Sequence, residues 1–176
     1  SQISNLQLKI DNRINVELVD VGGQKINREK WQSCYKGVDI LIFVASLSDF
    51  DQFMFEDDQT RRTADSINSF RSTANSPVFD KKPILLILNN ADVFEMKLKE
   101  IPDEFIKTYP DFTGNIKDVN ACIEHVKRRY FRELPPNRNE EVAWTDAIAV
   151  SPYDEKSVRD MFQLIARKVV EQFSNQ

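Results

Sequence analysis

The sequence predicts an α/β protein built on an open, doubly wound sheet, mostly parallel with an antiparallel hairpin at its edge. Three observations lead there. The runs "DILIFVAS" (39 to 46) and "ILLILN" (84 to 89) are apolar almost throughout, as parallel strands covered on both faces are. Longer amphipathic stretches separate the runs, so strands and helices alternate. The first two runs are split by "DNR" alone, which suits a hairpin and is too short for a parallel crossover.

In chain order, candidate strands cover 6 to 10 ("LQLKI"), 16 to 21 ("VELVDV"), 39 to 46, 84 to 89 and 142 to 150 ("VAWTDAIAV"). Helical patterns fall near 25 to 36, 57 to 74, 118 to 133 and 155 to 173, with a further helix starting near Val93. Glu56, Asp57 and Asp58 suit the amino end of the second pattern, where the helix dipole favours negative charge. In folds of this class ligands sit beyond the carboxyl ends of the strands.

Composition bounds the function. A chain of 176 residues is long enough for one domain with a substantial core. Its hydrophobic fraction of 41% and charged fraction of 30% are those of a globular protein. The net charge of −4 and the lack of a basic face argue against a nucleic-acid partner. Cys34 and Cys122 have no metal-ligand spacing and read as free thiols in a reducing cytosol, and His125, the only histidine, has no second histidine to share a metal. The longest apolar runs fall far short of the roughly 20 residues that a membrane span needs.

Two of the 4 glycines stand side by side in "DVGGQ", directly after a strand. Residues without side chains, Gly22 and Gly23, let the backbone approach a ligand and point amide hydrogens at it, which is how proteins hold phosphates. Asp20 is placed to hold a divalent metal or its water, and Gln24 carries an amide that can orient a water. Together they suit phosphate-ester hydrolysis, although a plain tight turn uses the same glycines. At the end of the next-but-one strand, "ILLILNNAD" presents Asn89, Asn90 and Asp92. A carboxylate there can accept from the ring N–H and exocyclic amine of guanine, a donor pair that adenine lacks, while an asparagine amide meets the other edge. The same residues also suit a polar turn capping a helix. "AIAVSPYDEKSV" provides a third loop, against which a purine ring can rest.

Over nearly its whole length the chain resembles the α subunits of heterotrimeric G proteins. The resemblance rests on "DVGGQ" followed by a basic stretch ending in Trp31, on "GVDILIFVASLSDFDQ", on "FRSTANSPVFDKKPILLILNNADVFEMKLK", on "YPDFTG", and on the terminal helix beginning at "DEKSV". It implies a Ras-like GTPase fold, residues 1–176 forming one domain segment from the second switch to the terminal helix, and a switch that binds GTP or GDP with Mg²⁺. Asp20 would bind the metal through water, with Ser1 at or beside a second metal position. The Gly23 amide would contact the γ-phosphate, and Gln24 would orient the attacking water. Lys25 to Tyr35 would form the second switch, with Arg28 pairing with Asp65 and Trp31 filling the groove against the helix at 57 to 74. Asn89, Asn90, Asp92 and Ser151 would hold the guanine. A βγ dimer, a receptor, an effector and a GTPase-activating regulator are the implied partners. The implied location is the cytoplasmic face of the plasma membrane, reached only peripherally.

Departures from the family pattern sharpen these expectations. Asn90 stands where a lysine stem usually lies along the base, Pro152 stands at a position that usually offers an amide, and Lys25 replaces an arginine. No G-x-x-x-x-G-K-[ST] loop and no first-switch arginine are present, and the strand that lies between 16 to 21 and 39 to 46 in the family sheet has no counterpart. Both neighbouring strands would then expose a long edge. The chain is accordingly expected to be the carboxyl-terminal part of a longer α subunit. A degenerate α-like binding module without GTPase activity, keeping only the effector or βγ surface, is the alternative. A third, an unrelated doubly wound enzyme, is opposed by the lack of a dinucleotide fingerprint.

Overall fold

The chain divides into two compact units, residues 1–38 with 159–176, and residues 39–158. The computed structural model describes residues 3–10, 12, 14–21, 31–141 and 143–174.

In the first unit, β1 (Ile3–Ile10) and β2 (Ile14–Val21) form the predicted antiparallel hairpin. Asn12 turns the chain with φ 53°, a left-handed conformation that asparagine tolerates better than most residues. Both strands start earlier than their apolar cores suggest, because ladder pairing from Ile3↔Val21 to Ile10↔Ile14 carries the alternating polar residues along. Asn5 donates to Glu17 diagonally across the pair at 2.8 Å. α1 (Trp31–Cys34) falls within the predicted 25 to 36 stretch and stops short of its expected end; residues 25–30 lie outside the described ones.

The second unit holds a parallel sheet in the order β3-β4-β5, made of Leu41–Ser46, Ile84–Asn89 and Thr145–Val150. Its register runs Leu41↔Ile84↔Thr145 to Ser46↔Asn89↔Val150, so the three carboxyl tips lie side by side. The crossovers are α2 (Arg62–Ala74), then α3 (Ala91–Glu100), α4 (Pro102–Thr108) and α5 (Val119–Phe131). α6 (Glu155–Ser174) follows β5, its residues up to 158 counted with the second unit and the rest with the first. The central strand β4 is buried from Ile84 to Leu88, as its unbroken apolar run requires. β3 lies at the sheet's edge among the described residues, and Val44 on it is 58% exposed.

Aromatic rings lock the crossovers in place. Phe70 of α2 meets Phe43 of β3 edge-on at 5.2 Å between centroids and Tyr130 of α5 at 5.6 Å. The Tyr130 hydroxyl donates to Ser66 at 2.8 Å, and burial pushes its pKa up to about 12, so it stays a donor. Phe50, in the 3-10 turn Leu47–Asp51 that follows β3, packs against Phe94 of α3 and Phe105 of α4, each at 5.7 Å. Arg138, its side chain 3% exposed, donates to the carbonyls of Phe79 and Lys82 and to Thr145 Oγ1, tying the approach to β5 to the approach to β4.

Further expected starts move: β3 begins at Leu41 rather than 39 and β5 at Thr145 rather than 142, and the largest shift is in α2. α2 begins at Arg62, not near 57, so Glu56, Asp57 and Asp58 do not sit at its amino end. Asp57 instead closes a turn: its carboxylate accepts from the Gln59 amide at 3.0 Å and from the Thr60 hydroxyl at 2.5 Å. A short aspartate side chain that bonds the backbone two residues on competes with helix formation. The loop then returns through an isolated antiparallel bridge, Phe53 with Arg61.

Candidate functional site

The rim of the three-stranded sheet is built from the last residue of each strand and the loop behind it. Ser46 ends β3, Asn89 ends β4 and Val150 ends β5, in one register row. The β3–β4 pairing sets Ser46 beside Asn89, and the β4–β5 pairing brings residues 151–154 to the same rim.

Asn90 turns the chain from β4 into α3 with φ 60° and ψ 43°. A helix N-cap normally has extended backbone, and its side chain accepts an amide of the first turn. Asn90 does neither: its side chain makes no capping bond, and Nδ2 donates across the strands to Ser46 Oγ at 3.1 Å. Ser46 in turn donates to Asp49 Oδ1 at 3.1 Å. With that proton committed, the Ser48 hydroxyl, 3.1 Å away, is left to donate to Ser46. Below this network Lys97 of α3 donates to the Ser48 carbonyl at 2.8 Å and to Asp51 at 2.6 Å, which locks α3 to the 3-10 turn. Burial works to raise the Asp51 pKa, but hydrogen bonds from Lys97 and Gln52 and the Lys97 charge outweigh it and leave it below 3.8.

Asn89 is half-buried and Asp92 is exposed in the first turn of α3, and neither side chain has a partner among the described residues. The predicted trio therefore divides: Asn90 is engaged, and Asn89 and Asp92 are available. Ser151 is held from the opposite loop. Its amide donates to Ser157 Oγ at 2.9 Å, and its carbonyl accepts the Asp154 amide at 3.0 Å. A base carbonyl could use the Ser151 amide only if Ser157 turned away. Asp154 caps α6, accepting from the amides of Lys156 and Ser157 at 3.0 and 3.4 Å.

Sequence reasoning missed Ser46, Asp154 and Ser157. An aspartate directly before a helical pattern is a readable signal for the second. The other two have no signal without the register.

On the remaining expected residues, Asp20 is exposed near the end of β2, paired in register with Ser4. Its hard carboxylate oxygen suits Mg²⁺, which binds one or two carboxylates and keeps several waters. Among the described residues no group of three or more His, Cys, Asp or Glu could hold a metal. Ser1, Gly22, Gly23, Gln24, Lys25 and Arg28 lie outside the described residues. Trp31 opens α1, and Asp65 lies in the first turn of α2, where its carbonyl accepts the Ser69 hydroxyl at 2.9 Å. No helix is long and apolar enough to cross a membrane among the described residues.

Comparison with known proteins places the chain in a family. The family model described as G-protein alpha subunit matches residues 1–169. The chain is 32% identical over 160 residues to the guanine nucleotide-binding protein alpha-4 subunit of Dictyostelium discoideum, covering 91% of this chain and 44% of that protein. It is 35% identical over 139 residues to the alpha-2 subunit of Kluyveromyces lactis, covering 79% of this chain and 24% of that protein. The chain thus spans less than half the length of these curated relatives. It belongs to the G-protein alpha subunit family.

Proposed function

We propose that residues 1–176 are one GTPase-domain segment of a guanine-nucleotide switch, an α subunit that binds GTP and GDP and hydrolyses GTP when intact. The observation that carries this is the sheet rim, where Asn89 and Asp92 stand with uncommitted side chains at the tip of the buried central strand. A polar side chain left unpaired at a strand tip is available for a ligand, and ligands of open α/β sheets bind at that rim. The Asp92 carboxylate accepts from the guanine ring N–H and exocyclic amine, and the Asn89 amide meets the other edge. Gly22 and Gly23 cradle the phosphates, and Gln24 orients the attacking water. Asp20 and Ser1 would hold Mg²⁺, which when bound neutralises charge on the phosphates.

Lys25, Arg28, Trp31 and Asp65 form the switch and effector surface in this reading. A βγ dimer, a receptor, an effector and a GTPase-activating regulator are the partners, met at the cytoplasmic face of the plasma membrane. The alternative, a binding module without hydrolysis, is favoured by Pro152 and by the committed Ser151 amide, which leave the base carbonyl short of a donor.

Asp92→Asn tests the reading. An amide at 92 can donate to a 2-oxo group where the carboxylate accepted an amine, so the variant should lose GDP at least a hundredfold and gain xanthosine diphosphate. Equilibrium titration with the fluorescent nucleotides measures both. Equal GDP affinity in the two proteins would refute the base assignment.

A further inference from the structure

We propose that Asn90 is a positioning residue for nucleotide retention: it latches the base-side loop to β3 through Ser46, rather than lying along the base. This rests on the nucleotide reading above and deepens it. The left-handed backbone at 90 is one that asparagine enters at little cost and most side chains do not. An asparagine at a helix amino end would ordinarily cap that helix, yet this one gives up the cap and donates to Ser46 Oγ at 3.1 Å. Ser46 is held in turn by Asp49, so the latch is anchored to the 3-10 turn that Lys97 pins from α3.

Asn89 and Asp92 flank the latch on either side, one residue before it and two after. Fixing residue 90 in both backbone and side chain therefore fixes the directions of the two groups that are free. While that hydrogen bond stands, the base is held, and its release requires the latch to open. When it breaks, the loop at 89–92 turns away from the rim and the nucleotide leaves. The latch thus acts on the dissociation rate, with little effect on association.

The test uses the full protein and measures release of N-methylanthraniloyl-GDP by stopped-flow fluorescence. Ser46→Ala removes the acceptor and leaves the backbone at 90 untouched. Asn90→Gly keeps the left-handed backbone and removes the donor. Each should speed release about fivefold, the scale of one hydrogen bond, with the association rate unchanged. The double variant should release no faster than either single one, since both remove the same bond. Ser46→Thr, which restores a hydroxyl, should return release to within twofold of the wild type. A wild type that binds the nucleotide while Ser46→Ala releases it at an unchanged rate overturns the latch alone. Fully additive single effects do the same. A wild type that does not bind GDP overturns the nucleotide reading and the latch with it.

Discussion

The hairpin and the parallel sheet are held by different forces, although both come from apolar runs of similar length. In β1 and β2 eight register pairs close the ladder, yet Leu6 is 55% exposed and Leu8 and Leu18 are each 37% exposed. In β4 every residue from Ile84 to Leu88 is buried, with Ile84 and Leu86 at 0%. Backbone pairing dominates the first and area removed from water dominates the second. A two-stranded sheet by itself is marginal in water, whereas a strand buried on both faces carries much of a domain's stability. Of the residues that the ligand reading needs on the base side, Asn89 ends that second kind of strand and Asp92 follows it in the first turn of α3.

The largest effect expected from this contrast is at Leu86. Leu86→Ala should destabilise by about 4 kcal/mol, within the range for fully buried leucines, and Leu8→Ala by about 1 kcal/mol or less. Denaturant unfolding of the two variants compares them directly. Equal losses would mean that the hairpin is covered as fully as β4.

A smaller effect is expected at the pair that joins α3 to the end of β3. Asp51→Asn should cost about 2 kcal/mol at neutral pH, because a charge-assisted hydrogen bond from Lys97 is lost from two side chains each under a fifth exposed. The sign of its pH dependence follows from the lowered pKa. The unfolded carboxyl titrates near 3.8 and the folded one lower, so the contribution is complete above 3.8 and is lost as pH falls through the folded value. Stability curves of the wild type and Asp51→Asn should therefore run parallel above 3.8 and converge below it. A gap that persists into that acid range would show that Asp51 contributes by packing rather than by charge.

Legibility in the sequence followed the same divide. The apolar runs of β3 and β4 and the "DNR" turn were plain, because burial on both faces and short connections each leave a compositional mark. The acidic run at 56–58 misled, since aspartate serves both helix starts and turns, and Asp57 closes a turn here. α4 had no periodic stripe of its own; its signs are Pro102 at the first position and Asp103 and Glu104 in the first turn. At the rim, the sequence marks Asn89, Asn90 and Asp92 as polar residues following an apolar strand, and the register is needed to tell the engaged one from the other two. The Asn90–Ser46 bond was not, because it joins residues that only the β3–β4 register brings together. Nor was the engagement of the Ser151 amide by Ser157, which depends on how α6 leaves its cap.

Backbone hydrogen exchange of the full protein with GDP, with ADP and with neither tests the central claim most directly. If a guanine nucleotide seats on the sheet rim, GDP slows exchange of the amides at 89–94 and 151–157 at least tenfold, and ADP at the same concentration leaves them unchanged. Exchange there that is indifferent to GDP, or slowed equally by ADP, would contradict the account.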